Sequence, residues 1–191
     1  MPRLRKRMIW CAVIVAWLLE STTVWACGQE RWSVKVGTDR DVQQVVLTPT
    51  PTTIALLSRI PAPPQPGTRS HSRFPHTELT TFVVTGTLIV IKPEQDEDYH
   101  IVLQDEQGRT MIVESPHPHC AQGSRFAQEI TAVRTQIDTH FGAPITRKMR
   151  PQNLRVTVTG VGFFDVKHTP PQEGVATNGI ELHPILDIVF N

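Results

Sequence analysis

Two short strings carry residue types that could do chemistry. Asp98-Tyr99-His100 and Glu181-Leu182-His183 each set a carboxylate two residues before an imidazole. Residues two apart on a strand project from one face. If the two faces converge, the set is two imidazoles and two carboxylates, and Asp165 stands at a strand end from which it could join them. Such a set binds a divalent metal such as zinc, which takes histidine nitrogen and carboxylate oxygen. It also supplies acid–base chemistry, because histidine titrates near neutral pH. The competing explanation is structural. The two strands need not be neighbours, each histidine can simply bond a nearby backbone or carboxylate group, and Pro184 after His183 restricts the backbone there.

Other strings are weaker. His117-Pro118-His119-Cys120 looks like a metal-binding run, but a closed zinc site needs four ligands and no second Cys/His pair follows at finger-like distance. Glu94, Asp96, Glu97 and Asp98 lack the twelve-position pattern of an EF-hand, so a solvated turn is expected. No G-x-S-x-G, P-loop or dinucleotide fingerprint occurs in the sequence. The chain thus has no recognisable catalytic motif, and the enzyme reading rests on the two carboxylate–histidine strings alone.

Residues 1–26 are read as a secretory signal peptide. Arg3, Arg5, Lys6 and Arg7 precede an uncharged apolar run from Met8 to Leu19, and Val24-Trp25-Ala26 offers a cleavage site. Twelve residues are too few to span a bilayer, so no transmembrane helix is expected in the mature chain. The protein is therefore expected to be secreted or periplasmic. Without the leader, the whole-chain charge of +1 becomes −2 and no basic stripe remains beyond Arg147, Lys148 and Arg150, which argues against nucleic acid as a partner. Two cysteines remain, Cys27 and Cys120. An oxidising compartment favours their disulfide. The alternative is a lipid anchor on Cys27, the first residue after the cleavage site, although bulky Trp25 fits a lipoprotein signal poorly.

The elements that must position these residues follow from patterning. Residues 27–60 read as an N-terminal arm. Trp32, Val34 and Val36 alternate like a short strand, Val42, Val45 and Val46 form one helical face, and Thr52 or Thr53 caps a second short helix. Residues 61–77 are a proline-rich connector, expected to be extended and exposed. Residues 78–191 form the main domain. Thr80–Ile91 is a long β run broken by Gly86, and Tyr99–Leu103 and Thr110–Glu114 flank a turn at Asp105-Glu106-Gln107-Gly108. Phe126, Ile130, Val133, Ile137 and Phe141 lie on one helical face ahead of Gly142, with Ser124 as the expected cap. Leu154–Phe164 and Ile180–Phe190 complete the set. The order strand, strand, strand, helix, strand, strand predicts a mainly β (α+β) fold, a five-stranded OB-like barrel with a short helical N-terminal arm.

Four segments carry a resemblance: ERWSVKVGTD at 30–39, DEDYHIVLQDEQGRTMIVE at 96–114, VTGVGFFD at 158–165 and NGIELHPILDI at 178–188. Together they resemble a group of uncharacterised secreted bacterial proteins with the same segment order over nearly the whole mature chain. The resemblance implies one compact domain and carries no activity. Relatives tend to have Gly-Gln-Thr-Gly after the fourth strand where this chain has residues 169–174 as TPPQEG, so no role of that loop is transferred. The leading expectation is an extracytoplasmic non-catalytic binding or interaction module for a protein, glycan or small molecule. The alternatives are a metal-assisted hydrolase using Asp98, His100, Glu181 and His183, and an envelope-associated structural lipoprotein.

Overall fold

The computed structural model describes residues 27–191, except Gln29, Ser70, Lys167, Thr169 and Pro170. The signal-peptide segment lies outside the described residues. In chain order the elements are α1 (Trp32–Val36), β1 (Val46–Pro51), α2 (Ile54–Leu57), β2 (Thr80–Pro93), β3 (Tyr99–Gln104), β4 (Thr110–Ser115), α3 (Ala127–Phe141), β5 (Leu154–Phe164) and β6 (Ile180–Phe190), with four short 3-10 turns between them.

β2 is long because it serves both halves of a barrel. Its first part pairs with β5, from Thr81 opposite Val161 to Leu88 opposite Leu154. Its second part pairs with β3, from Thr87 opposite Gln104 to Pro93 opposite Tyr99. The handover falls just after Gly86, and a bulge follows between Leu88 and Val90. A Cβ on Gly86 would stand 3.2 Å from the Gln104 carbonyl oxygen, so glycine lets the two strands approach. The closed order is β2-β3-β4-β6-β5 and back to β2. Only β4 and β6 pair in parallel within it. With α3 between the third and fourth barrel strands, this is an OB-like barrel.

Alternation decides what fills it. Tyr99, Ile101, Leu103, Met111, Val113, Ile180 and Leu182 belong to the main core, joined by Val133 and Ile137 of α3. The Ser124 hydroxyl accepts the Phe126 N–H just ahead of α3, and Gly142 ends the helix at φ 75°. A second core holds Val36, Val42 and Val45 of the arm against Phe126, Ile130 and Val161.

The arm differs from its expected pattern. Trp32–Val36 is helical, not extended, and Gly37 closes it at φ 72°. Five residues are too few to separate a period of 2 from one of 3.6. A Cβ on Gly37 would come within 2.4 Å of the Phe126 ring, so the arm docks on glycine. Val46 opens a sixth strand, β1, parallel to β2 and outside the barrel. Pro49 and Pro51 are tolerated there because an edge strand can spare their N–H groups. Thr53 caps α2, its side chain accepting the Leu56 N–H. The connector is not simply exposed, since Arg73 is 2% exposed and bonded to Asp39 of the arm.

Cys27 and Cys120 form a disulfide that ties the start of the arm to the turn after β4. That bond uses the sulfur a lipid thioether would need, so the lipid anchor on Cys27 and the lipoprotein reading built on it are withdrawn. Among the described residues, no helix is long and apolar enough to cross a membrane.

Candidate functional site

With Tyr99, Ile101, Val113 and Leu182 turned into the barrel, the alternate positions Asp98, His100, Glu114, Glu181 and His183 point outward from β3, β4 and β6. They are buried all the same, because α1 lies over this outer face and sets Lys35 among them. Asp165, just past β5, borders the group from the other side.

The strands of the two carboxylate–histidine strings are not adjacent, since β4 runs between them. Glu114 of β4 joins them instead. Its Oε1 lies 3.1 Å from His100 Nδ1, and its Oε2 lies 3.2 Å from His183 Nε2. His183 Nε2 is also 3.0 Å from Asp98 Oδ2, while its Nδ1 faces the Lys35 carbonyl oxygen at 3.1 Å. His100 Nε2 lies 2.9 Å from the carbonyl oxygen of Glu173, in the loop between β5 and β6. The Lys35 ammonium is 4.0 Å from Glu114 and 3.9 Å from Asp165. The two strings thus meet directly at Asp98 and His183, and Glu114, which neither contains, bridges the two histidines. Asp98 contacts His183 of the other string, and His100 contacts Glu114.

The electrostatics follow from burial and proximity. Burial opposes charge on His183, but hydrogen bonds to Asp98 and Glu114 push its pKa up to about 9. With both ring nitrogens facing oxygen acceptors, the ring is an imidazolium at neutral pH. Burial raises Asp98 to about 6, against the pull of His183. Burial acts on Glu114 in the same direction, yet its bonds to His100 and His183 and the Lys35 charge hold it well below the carboxylate range. Burial would lower Lys35, but the surrounding carboxylates, Glu114 first, hold it above its ordinary value. Glu181 is raised well above the usual range by burial and by the charges of Glu114 and Asp165, against the pull of Lys35.

Acceptors outnumber donors here. Among the described residues, six buried side-chain polar atoms have no hydrogen-bond partner, and four of them belong to this cluster: Asp98 Oδ1, Asp165 Oδ1 and both Glu181 oxygens. A buried unsatisfied polar group is uncommon in folded proteins and calls for an explanation.

A cleft of about 350 Å³ opens above the cluster, with Lys35 and Glu114 on its floor and Glu30, Glu94, Asp96 and His168 around it. Glu94 and Asp96 come from the loop between β2 and β3, His168 from the loop between β5 and β6. A more apolar pocket beside it, lined by Val166, Pro171, Val175 and Ala176, shares His168 with the cleft.

Three carboxylate, imidazole or sulfur clusters have metal-ligating spacing among the described residues. Cys27, His119 and Cys120 offer no thiolate, because the cysteines are bonded to each other. Glu30, Asp165 and His168 are mostly exposed, and Asp98, Glu114 and His183 are all buried. Sequence reasoning missed Glu114 and Lys35. Glu114 had a signal, because the turn at Asp105–Gly108 pairs Gln104 with Thr110 and so sets His100 opposite Glu114. Lys35 sits in a helix whose packing no local pattern encodes.

No family model and no curated protein matches the chain. One solved structure, "OBody AM3L09 bound to hen egg-white lysozyme", is similar over 61% of this chain and 85% of that chain, at 13% identity and a TM-score of 0.37.

Proposed function

We propose that the chain is an extracytoplasmic, non-catalytic binding module whose cleft receives a basic group from a protein partner. The observation that carries this reading is the charge of the cleft, where four carboxylates, Glu30, Glu94, Asp96 and Glu114, outnumber Lys35 on the floor and Lys92, which pairs with Glu94, while His168 faces Glu30. A concave wall with an excess of one charge concentrates ligands of the other. The same charge repels phosphate backbones, which agrees with the composition of the mature chain. The loops that line the cleft join the first two and the last two barrel strands, a place where this fold commonly binds ligands. The disulfide supports an oxidising compartment.

Metal-assisted hydrolysis is the second reading, favoured by the convergence of Asp98, Glu114 and His183. Burial weighs against it, since Asp98 and His183 are fully buried and Glu114 is 5% exposed, which leaves a substrate no approach to the reacting atoms.

The test uses a fluorescein-labelled penta-lysine peptide in a polarisation titration. The expected result is saturable binding that weakens at least tenfold, about 1.4 kcal/mol, in Glu94→Gln/Asp96→Asn. Equal binding by that variant, or equal binding of a penta-glutamate peptide, would overturn the reading. Binding of a neutral oligosaccharide in place of the peptide would also overturn it and move the ligand to the glycans.

A further inference from the structure

We infer that Asp98, Glu114 and His183 form a site for one divalent transition-metal ion, zinc being the best match to the donors, at the floor of the cleft. This goes beyond the peptide-binding reading and does not depend on it.

Geometry comes first. Two ligand atoms about 2.1 Å from a common ion stand roughly 3.0–3.4 Å apart at octahedral or tetrahedral angles. His183 Nε2 is 3.0 Å from Asp98 Oδ2 and 3.2 Å from Glu114 Oε2. The supporting contacts are those that metal-binding residues need. His183 Nδ1 donates to the Lys35 carbonyl oxygen, which turns Nε2 toward the two carboxylates. Glu114 uses its other oxygen on His100, and His100 is held in turn by the Glu173 carbonyl. Both ends of the ligand set are therefore fixed by a second layer of bonds.

The orphaned oxygens are the independent observation. Asp98 Oδ1 and both oxygens of Glu181 are buried with no donor among the described residues. Glu181 shares the outward face of β6 with His183 and senses the charges of Glu114, Asp165 and Asp98. A surplus of buried carboxylate oxygen is what a cation site presents without its cation. The ion would take the place of the proton now shared between His183 and its two carboxylates. It would enter past Lys35 and Glu114, the two members of the cluster that reach the cleft floor. One imidazole and two carboxylates fit zinc or manganese better than calcium, which takes six to eight oxygens. Lys35 is the competitor, a fixed cation 4.0 Å from Glu114.

The experiment uses protein expressed from the full-length sequence, with its disulfide intact, stripped with a chelator and titrated with zinc, manganese and calcium. Native mass spectrometry should show one tightly held zinc per chain. Thermal unfolding should shift upward by about 5–10 °C at a hundredfold excess over the dissociation constant, and calcium should give less than a quarter of that. Asp98→Asn should weaken zinc at least tenfold, and Lys35→Met should tighten it by removing the competing charge. X-ray absorption of the zinc-loaded protein should show one imidazole among oxygen donors. The part-buried pair His117 and His119 is the rival site, their Nδ1 atoms 2.5 Å apart. Zinc binding that survives Asp98→Asn and disappears in His117→Ala/His119→Ala would overturn the assignment. An unshifted melting temperature with no retained ion would do the same, whatever the peptide titration shows.

Discussion

The N-terminal arm meets two groups of buried charge, and they are satisfied to different degrees. In the first, Arg31 lies against Glu78 and Arg73 against Asp39, with all four side chains at most 4% exposed. Glu78 Oε1 accepts from Arg31 at 2.7 Å and from the Phe164 N–H at 2.9 Å, and Oε2 accepts from Arg31 at 2.8 Å and from the Phe74 N–H at 2.7 Å. Arg31 spends its remaining donors on the carbonyls of Arg69, Ser72 and Phe164. Arg73 reaches both oxygens of Asp39 and the carbonyls of Val34 and Glu78. The second group, around Glu114, leaves four carboxylate oxygens without a hydrogen-bond donor among the described residues. The lesson is that burial and charge alone do not mark a functional site. Incompleteness does, because a finished network fixes the arm in place, while a surplus of acceptors leaves room for a ligand's charge.

The contrast is broken most directly at Glu78. Glu78→Gln leaves the Arg31 guanidinium buried without a counter-charge and should cost about 3–5 kcal/mol, read as a lower urea midpoint at unchanged slope. A loss below about 1 kcal/mol would mean that the arm's anchors are not where its stability lies.

Acidity probes the second group. In chelator-treated protein, His183 holds its proton up to about pH 9 in the folded state, against about 6.5 when unfolded. Its contribution is complete below pH 6.5 and is lost as pH rises through 9, because only the unfolded chain gives up the proton in that interval. Asp98, Glu114 and Lys35 are the charges that face it. The expected fall in unfolding free energy from pH 6.5 to 9 is roughly 2–3 kcal/mol, measured by urea titration at each pH. His183→Gln should flatten the profile, and a flat profile in the native sequence would remove the imidazolium from the account.

The smallest expected effect sharpens the comparison most. Burial and the neighbouring carboxylates disfavour charge on Glu181, so Glu181→Gln should change stability by about 1 kcal/mol or less. Were it to cost as much as Glu78→Gln, Glu181 would be an ionised partner of Lys35, and the two groups would be the same kind of object.

Much of this was legible in the residues. The element order of the barrel and the Gly86 handover follow from local signals, while the Cys27–Cys120 pairing was one of two readings of the two remaining cysteines. The paired strings placed each histidine on one strand face with the carboxylate two residues before it; the structure sets Asp98 against His183, His100 against Glu114, and Asp165 near Lys35. What failed was local in a different way. A five-residue run such as Trp32–Val36 has too few side chains to show its period, and a connector rich in proline still buries Arg73 once a partner carboxylate is supplied from 34 residues away.

The sequence by itself determined which residues face inward on each strand, because alternation is a property of the backbone. It also determined that each of the two histidines shares a strand face with the carboxylate two residues before it. Only the tertiary structure decided that this outer face is buried. Docking of α1 brings Lys35 from far along the chain and removes the water that would have satisfied Glu181 and Asp98. Whether those groups are charged, shared or orphaned depends on that enclosure, because the cost of a buried charge is set by what surrounds it.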